Sequence, residues 1–258
     1  MRQSISFDRA ASFYDRTRAM PPATVEAITN ELLAQTKKAG ADRLLEVGVG
    51  TGRISRPLLE RGQHVVGVDI STEMMAQLLA QLTPAHLAPD LMLGDATRLP
   101  FCDDTFRAVL MVHVFHLVAS VEKTIQEIRR VLAPGGVFLH KVQRDNAPFA
   151  ANERWWNDAL TGRGHPPISR MTFDHQREIL AATGAQLESI DIVTDATEVD
   201  AEVIIEEIPM RLNSWSWQVD DAVFEELAPA YQRWFAETYP PVVIEKATHQ
   251  LEVWRWPD

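Results

Sequence analysis

The chain has 258 residues, of which 46% are hydrophobic and 24% charged, and its formal net charge is -11. That length suits one large α/β domain with insertions, and the composition is that of an ordinary soluble globular protein. An acidic surface repels phosphate backbones, so no nucleic-acid partner is expected, and the single cysteine, Cys102, excludes an intrachain disulfide.

The opening segment, MRQSISFDRA, lacks the apolar stretch of a signal peptide. A helix is expected over Ala23–Lys38, stopped by Gly40, and a strand over Arg43–Val47 just before a cluster of glycines. Ile54–Arg61 reads as a helix stopped by Gly62, and His64–Asp69 as a strand. The Ser71 hydroxyl can accept from the free amides of a helix that runs to about Leu82. Leu91–Leu93 and Arg107–His113 read as strands, Val121–Leu132 as a helix closed by Pro134-Gly135-Gly136, and Val137–Val142 as a further strand. The apolar run Val109–Ala119 is broken by His113 and His116 and is too short to cross a bilayer. A cytoplasmic protein with no membrane insertion is therefore expected.

The second half is less regular. A short helix and a loop are expected over Asp145–Ser169, a helix over Thr172–Ala182 with Gly184 as its stop, and a strand over Gln186–Val193. Ala201–Trp234 reads as mostly helical and Thr248–Trp254 as a strand. Strands alternating with helices imply right-handed crossovers and a parallel sheet. With no linker in view, a single domain over 1–258 is expected, its lid formed by segments near 1–20, 145–169 and 201–234.

Candidate chemistry falls at the carboxyl ends of successive strands, where open α/β sheets bind ligands. Gly48-Val49-Gly50-Thr51-Gly52 links a strand to a helix and lets a ligand approach the main chain. Asp69, at the end of the next strand, can accept from both hydroxyls of a ribose. Asp95 follows the third strand and can accept from an adenine amino group, while the Ala96 amide can donate to the ring. His113 ends the fourth strand beside the expected cofactor tail. A nicotinamide dinucleotide turn would carry glycine where Arg53 stands, and Glu46 before the turn would repel a pyrophosphate. An acidic rim of Glu46, Asp69 and Asp95 suits a cationic nucleoside such as S-adenosylmethionine, so the charge pattern disfavours an NAD-dependent oxidoreductase.

The segments LLEVGVGTGRIS, VVGVDIS, LMLGDATRLPF, FRAVLMVHVFHLV and VLAPGGVFL resemble the successive motifs of class I S-adenosylmethionine-dependent methyltransferases. They are most similar to the ubiquinone and menaquinone biosynthesis branch, over roughly Leu44 to Val142, with a weaker echo in FDRAASFYDRTR. The resemblance implies a Rossmann-like, doubly wound, mostly parallel seven-stranded sheet with an antiparallel last strand and helical insertions. It also implies S-adenosylmethionine as cofactor, S-adenosylhomocysteine as product and a small-molecule acceptor. By the same resemblance Gly48, Gly50 and Gly52 face the methionine part, and Glu46 and the His113 backbone serve its amino group. Asp69 holds the ribose, Ile70 and Met74 flank the adenine, and Asp95 and Ala96 read its edge. Tyr14 closes over the cofactor and Arg18 pairs with its carboxylate.

Other residues admit more than one reading. His116 is a candidate general base or a packed histidine; with His113 it lacks a third ligand, so no metal is expected. Trp155, Trp156, Trp215 and Trp217 suit an apolar acceptor pocket or an anchor for the insertions. Cys102 is expected to be a small buried side chain. A non-catalytic cofactor-binding sensor or partner protein is the alternative from another class. The sequence does not specify the acceptor or the oligomeric state.

Overall fold

The central strands are apolar on both faces, and the fold follows from burying them. The computed structural model describes residues 3–82, 89–145, 150–168, 171–212 and 214–257. β1 (Arg43–Val47), β2 (His64–Asp69), β3 (Asp90–Leu93), β4 (Phe106–Val112), β5 (Leu132–Asp145), β6 (Gln186–Asp200) and β7 (Val242–Arg255) form one sheet in the order β3-β2-β1-β4-β5-β7-β6. β1 pairs in parallel with β2 and β4, β2 with β3, and β4 with β5; the last strand runs antiparallel. The order reverses beside β1, which places the carboxyl ends of β1, β2 and β4 around one crevice.

The helices are α1 (Tyr14–Thr17), α2 (Pro22–Lys38), α3 (Ser55–Glu60), α4 (Thr72–Gln81), α5 (Val121–Val131), α6 (Ala150–Thr161), α7 (Phe173–Ala182), α8 (Ala201–Glu207) and α9 (Asp221–Thr238). Their starts have local causes. The Ser71, Ser120 and Thr172 hydroxyls accept from the amides of Met74, Lys123 and His175, which would otherwise lack partners in the first turn. α5 turns Val121, Ile125 and Ile128 onto one face of the sheet, against Val109, Met111 and Phe138. On the other face Ile28 and Leu32 of α2 pack with Leu44, Leu110 and Leu139. Each such side chain contributes about 1.5–3 kcal/mol by leaving water.

The chain divides into two units. One comprises Met1–Gln143, Met171–Val193 and His249–Asp258; the other comprises Arg144–Arg170 and Thr194–Thr248. The expected lid segments 145–169 and 201–234 fall within the second unit, except where they lie outside the described residues. That unit has its own core of Trp156, Leu160, Phe224, Leu227, Tyr231 and Phe235. Trp155, Trp156 and Trp215 pack into this cluster, with Trp156 stacked on Phe224 at 5.0 Å between centroids. The structure thus makes these tryptophans core residues of the second unit. Trp217 donates from Nε1 to the Arg211 carbonyl at 2.8 Å.

Several boundaries differ from the sequence reading. Pro134-Gly135-Gly136 does not simply close a helix. The β4–β5 register jumps from Phe106↔Leu132 to Ala108↔Val137, so these residues bulge out of β5. A Cβ on Gly136 would lie 2.8 Å from the Ala133 carbonyl oxygen, which is why the bulge takes glycine there. β4 stops at Val112, one residue early, because His113 turns into a left-handed conformation with φ 54°. β6 runs on past its expected end and β7 starts six residues earlier than expected, and Thr194 of the β6 extension meets the Thr248 hydroxyl at 3.0 Å. Cys102 is exposed, not buried, because it sits in the loop before β4.

Candidate cofactor site

The glycine turn is built by three left-handed residues, Gly48 (φ 77°), Gly50 (φ 54°) and Gly52 (φ 74°). Two of them are also enclosed. A Cβ on Gly48 would lie 2.3 Å from a Val114 methyl, and one on Gly52 would lie 2.2 Å from a Leu78 methyl. Gly50 is more open, with the nearest atom, the Met74 Cε, at 3.4 Å. The turn is pinned from below, since Gly48 and Val49 both donate to the Val68 carbonyl, at 2.7 and 3.1 Å.

Asp69 ties this turn to the next strand end. Its Oδ2 accepts the Gly50 amide at 2.8 Å and its Oδ1 accepts the Ser71 amide at 2.9 Å. Burial raises its pKa above the usual aspartate value, against the pull of those amides. Glu46 lies beneath, fully buried on β1, and accepts from the Ser55 hydroxyl. Burial pushes Glu46 up to about 8, with Ser55 and Arg53 opposing and Asp69 reinforcing the shift.

The remaining expected residues fall around these. Met74 is buried under Gly50 and Ile70 is 39% exposed at the end of β2. Ala96 packs against the core below the sheet. The Asp95 Oδ1 accepts from the Thr97 amide at 2.8 Å and the Thr97 hydroxyl at 2.7 Å, a local turn arrangement. Burial would raise the Asp95 pKa, but hydrogen bonds from Thr97 and Ser4 outweigh it and hold the carboxyl below its usual value. Burial pushes His113 well below the ordinary histidine value, helped by Lys141, Arg53, His116 and His140, so its imidazole is neutral. Tyr14 sits on α1, edge-on to Phe7 at 5.8 Å. The Arg18 carbonyl accepts from the Arg53 guanidinium at 3.0 Å, so Arg53 is engaged with the amino-terminal segment.

Sequence reasoning missed how firmly that segment is tied down. Asp15 accepts from the Thr51 hydroxyl of the glycine turn and from Gln81 of α4. Asp8 accepts from the Ser71 hydroxyl, and the Ser4 hydroxyl accepts the Ala119 amide at 3.0 Å. A second missed cluster joins the buried His140 and Glu252 to the half-buried Arg177. The Glu252 carboxylate accepts from Arg177 and faces the His140 Nδ1 at 3.0 Å, and Phe115 meets the His140 ring edge-on at 5.0 Å. Among the described residues no group of three or more His, Cys, Asp and Glu side chains is placed to hold a metal ion, and no helix is long and apolar enough to cross a membrane.

Residues 45–140 match the family model described as a methyltransferase domain. The chain is 34% identical over 152 residues to phosphatidylethanolamine N-methyltransferase of Cereibacter sphaeroides, covering 56% of this chain and 74% of that protein. The chain belongs to the S-adenosylmethionine-dependent methyltransferase family. It is also 38% identical over 141 residues to demethylmenaquinone methyltransferase of Symbiobacterium thermophilum, covering 52% of this chain and 55% of that protein. Among solved structures, the YcgJ protein of Bacillus subtilis superposes with a TM-score of 0.56 at 19% identity, over 89% of this chain and 99% of that one, a likeness of fold.

The methyl donor of this methyltransferase family is S-adenosylmethionine. The residues present fit it. The left-handed Gly50 donates its amide to the half-buried Asp69, the buried Glu46 lies on β1 just before the turn, and the Arg53 guanidinium donates to the Arg18 carbonyl. With Glu46 pushed up to about 8, the Asp69 carboxylate is the charge that favours a cation over a pyrophosphate.

Proposed function

We propose that this methyltransferase moves a methyl group from S-adenosylmethionine to a small-molecule acceptor by in-line displacement. The Gly50–Asp69 contact carries the reading, because it supports a ribose-holding carboxylate directly beside a glycine cradle. When bound, the cofactor supplies an electrophilic methyl on a sulfonium with a good leaving group. The chain's task is then mainly placement. Gly48, Gly50 and Gly52 shape the turn that faces the methionine part, with Gly50 its most open position and Glu46 and the His113 backbone beside the amino group. Asp69 orients the ribose, Ile70 and Met74 flank the adenine, and Asp95 with Ala96 meets its edge. Tyr14 and Arg18, on the segment latched by Asp8 and Asp15, close the site and exclude water. His116 is the general base if the acceptor is a phenol or alcohol.

The named relatives act on a phospholipid and a quinone precursor, as their names state, so amines and quinone precursors come first among acceptors, followed by phenols. The test is methyl transfer from labelled S-adenosylmethionine across such a panel. Turnover of one class supports the reading. Cofactor binding with no turnover on any acceptor favours a sensor.

A further inference from the structure

Residues 4–18 form a strap that is tied to the segments following β1, β2, β3 and β4. After β1, the Thr51 hydroxyl donates to Asp15, which also accepts from the Gln81 side chain at 2.8 Å, and Arg53 donates to the Arg18 carbonyl. After β2, the Ser71 hydroxyl donates to Asp8. After β3, Asp95 accepts from the Ser4 hydroxyl. Past β4, the Ile5 amide donates to the Leu117 carbonyl at 2.8 Å, and Ser4 takes the Ala119 amide. Two of these ties adjoin the candidate cofactor groups directly: Thr51 lies within the glycine turn, and Ser71 gives its own amide to Asp69.

The strap is held by polar contacts and has almost no apolar core. Among its described side chains only Ala10 and Ala11 are buried; Asp8, Arg9 and Arg16 are exposed and Asp15 is half-buried. Its helical pieces, Asp8–Ala10 and α1, have three and four residues, too few to persist without tertiary support. A segment with so few buried apolar contacts opens locally far more readily than the sheet below it.

Taking the site as an S-adenosylmethionine site, as proposed above, we infer that the strap is a gate whose latches are Asp8 and Asp15, and that cofactor enters and product leaves only while both are released. Opening precedes binding in this scheme. That order separates a gate from a lid that folds down after the ligand has arrived. Exchange of spent for fresh cofactor then runs at the opening rate of the strap, whatever the ligand concentration.

Rapid mixing with radiolabelled S-adenosylmethionine or S-adenosylhomocysteine, stopped by filtration, measures association and dissociation rates. For the wild-type chain the association rate is expected to level off as ligand rises, at one plateau shared by both ligands, because the plateau belongs to the strap. The double variant Asp8→Ala, Asp15→Ala should raise both that plateau and the dissociation rate by roughly tenfold or more, with Kd changing less than either rate. Association that stays linear in ligand concentration, or plateaus that differ between the two ligands, overturns the gate. So does a double variant that accelerates dissociation alone, which is the behaviour of a lid. Failure of both ligands to bind overturns the cofactor assignment instead. The shared wild-type plateau decides the matter even if the variant does not fold.

Discussion

The Gly50 amide donates to the Asp69 carboxylate at 2.8 Å, joining the turn after β1 to the end of β2. The second carboxylate oxygen takes the Ser71 amide, so the Asp69 carboxylate is held at two points. A residue held in this way positions the turn and presents a charge at once.

Asp69→Ala removes the acceptor of both amides and the carboxylate proposed to hold the ribose. Hydrogen bonds to a charged group contribute about 1.5–3 kcal/mol. Affinity for S-adenosylhomocysteine should therefore fall roughly 10- to 100-fold in titration calorimetry. Unchanged affinity would remove Asp69 from the cofactor site.

Substitution of the glycines separates crowding from backbone strain. Gly52→Ala places a methyl 2.2 Å from a Leu78 methyl in addition to its left-handed backbone, whereas Gly62→Ala, with φ 82°, meets nothing within 4 Å. The Gly62 variant should lose about 1–2 kcal/mol from strain alone. The Gly52 variant should lose clearly more, since overpacking adds about 1–3 kcal/mol. Equal losses in urea denaturation would mean that Leu78 gives way freely.

The cluster around the buried Glu252 sets an acid limit on stability. Burial raises the Glu252 pKa, but His140 and Arg177 outweigh this and hold it below the usual glutamate value. A carboxyl depressed on folding stabilises above its unfolded value, and that stability is lost as pH falls through the folded one. Glu252→Gln should therefore flatten the loss of stability below about pH 4.3. It should also lower stability at pH 7 by about 3–5 kcal/mol, because Arg177 and His140 lose a buried partner.

Glu46 has the opposite sign. Its carboxyl keeps a proton up to about pH 8 in the folded chain. The folded state then binds more protons than the unfolded one between the ordinary glutamate value and that pH. Stability should fall across this window as pH rises, by up to about 1.4 kcal/mol per unit, and Glu46→Gln should remove that slope. Chemical denaturation from pH 5 to 8 measures both chains. A slope unchanged by the substitution would assign it to another group.

How much of this was legible in the sequence follows from the range of each interaction. β1, β2 and β4 were readable because parallel strands buried on both faces are continuous apolar runs, and Gly40, Gly62 and the Ser71 cap mark nearby ends. The ends of β1 and β2 were readable for the same reason, whereas β4 stops one residue before the expected His113 and β3 is largely exposed. The Pro134-Gly135-Gly136 bulge was not readable, since a turn signal does not say whether pairing resumes in register. The His140–Glu252 contact joins residues 112 apart, and the Asp8 and Asp15 latches join residues 63 and 36 apart, so no local pattern announces them. The tryptophans signalled burial, but helical spacing does not name the surface they meet, and in the structure they meet one another.

Arg211 tests whether the second unit depends on more than these rings. It is left-handed at φ 54°, hydrogen bonds to Asp221 and to the Ser216 and Val219 carbonyls, and lies 4.6 Å above the Phe224 ring. A lysine cannot reproduce that planar set of donors. Arg211→Lys should lose about 2–4 kcal/mol and speed proteolysis within 144–170 and 194–248. Wild-type resistance to proteolysis would show that the aromatic cluster suffices.

The central claim is that the glycine turn, Glu46 and Asp69 form a site for a cationic nucleoside. Titration calorimetry with S-adenosylmethionine, S-adenosylhomocysteine and NAD tests it most directly. Saturable one-to-one binding of both adenosyl ligands, without binding of NAD, is the expected result; binding of NAD with neither adenosyl ligand would contradict the account.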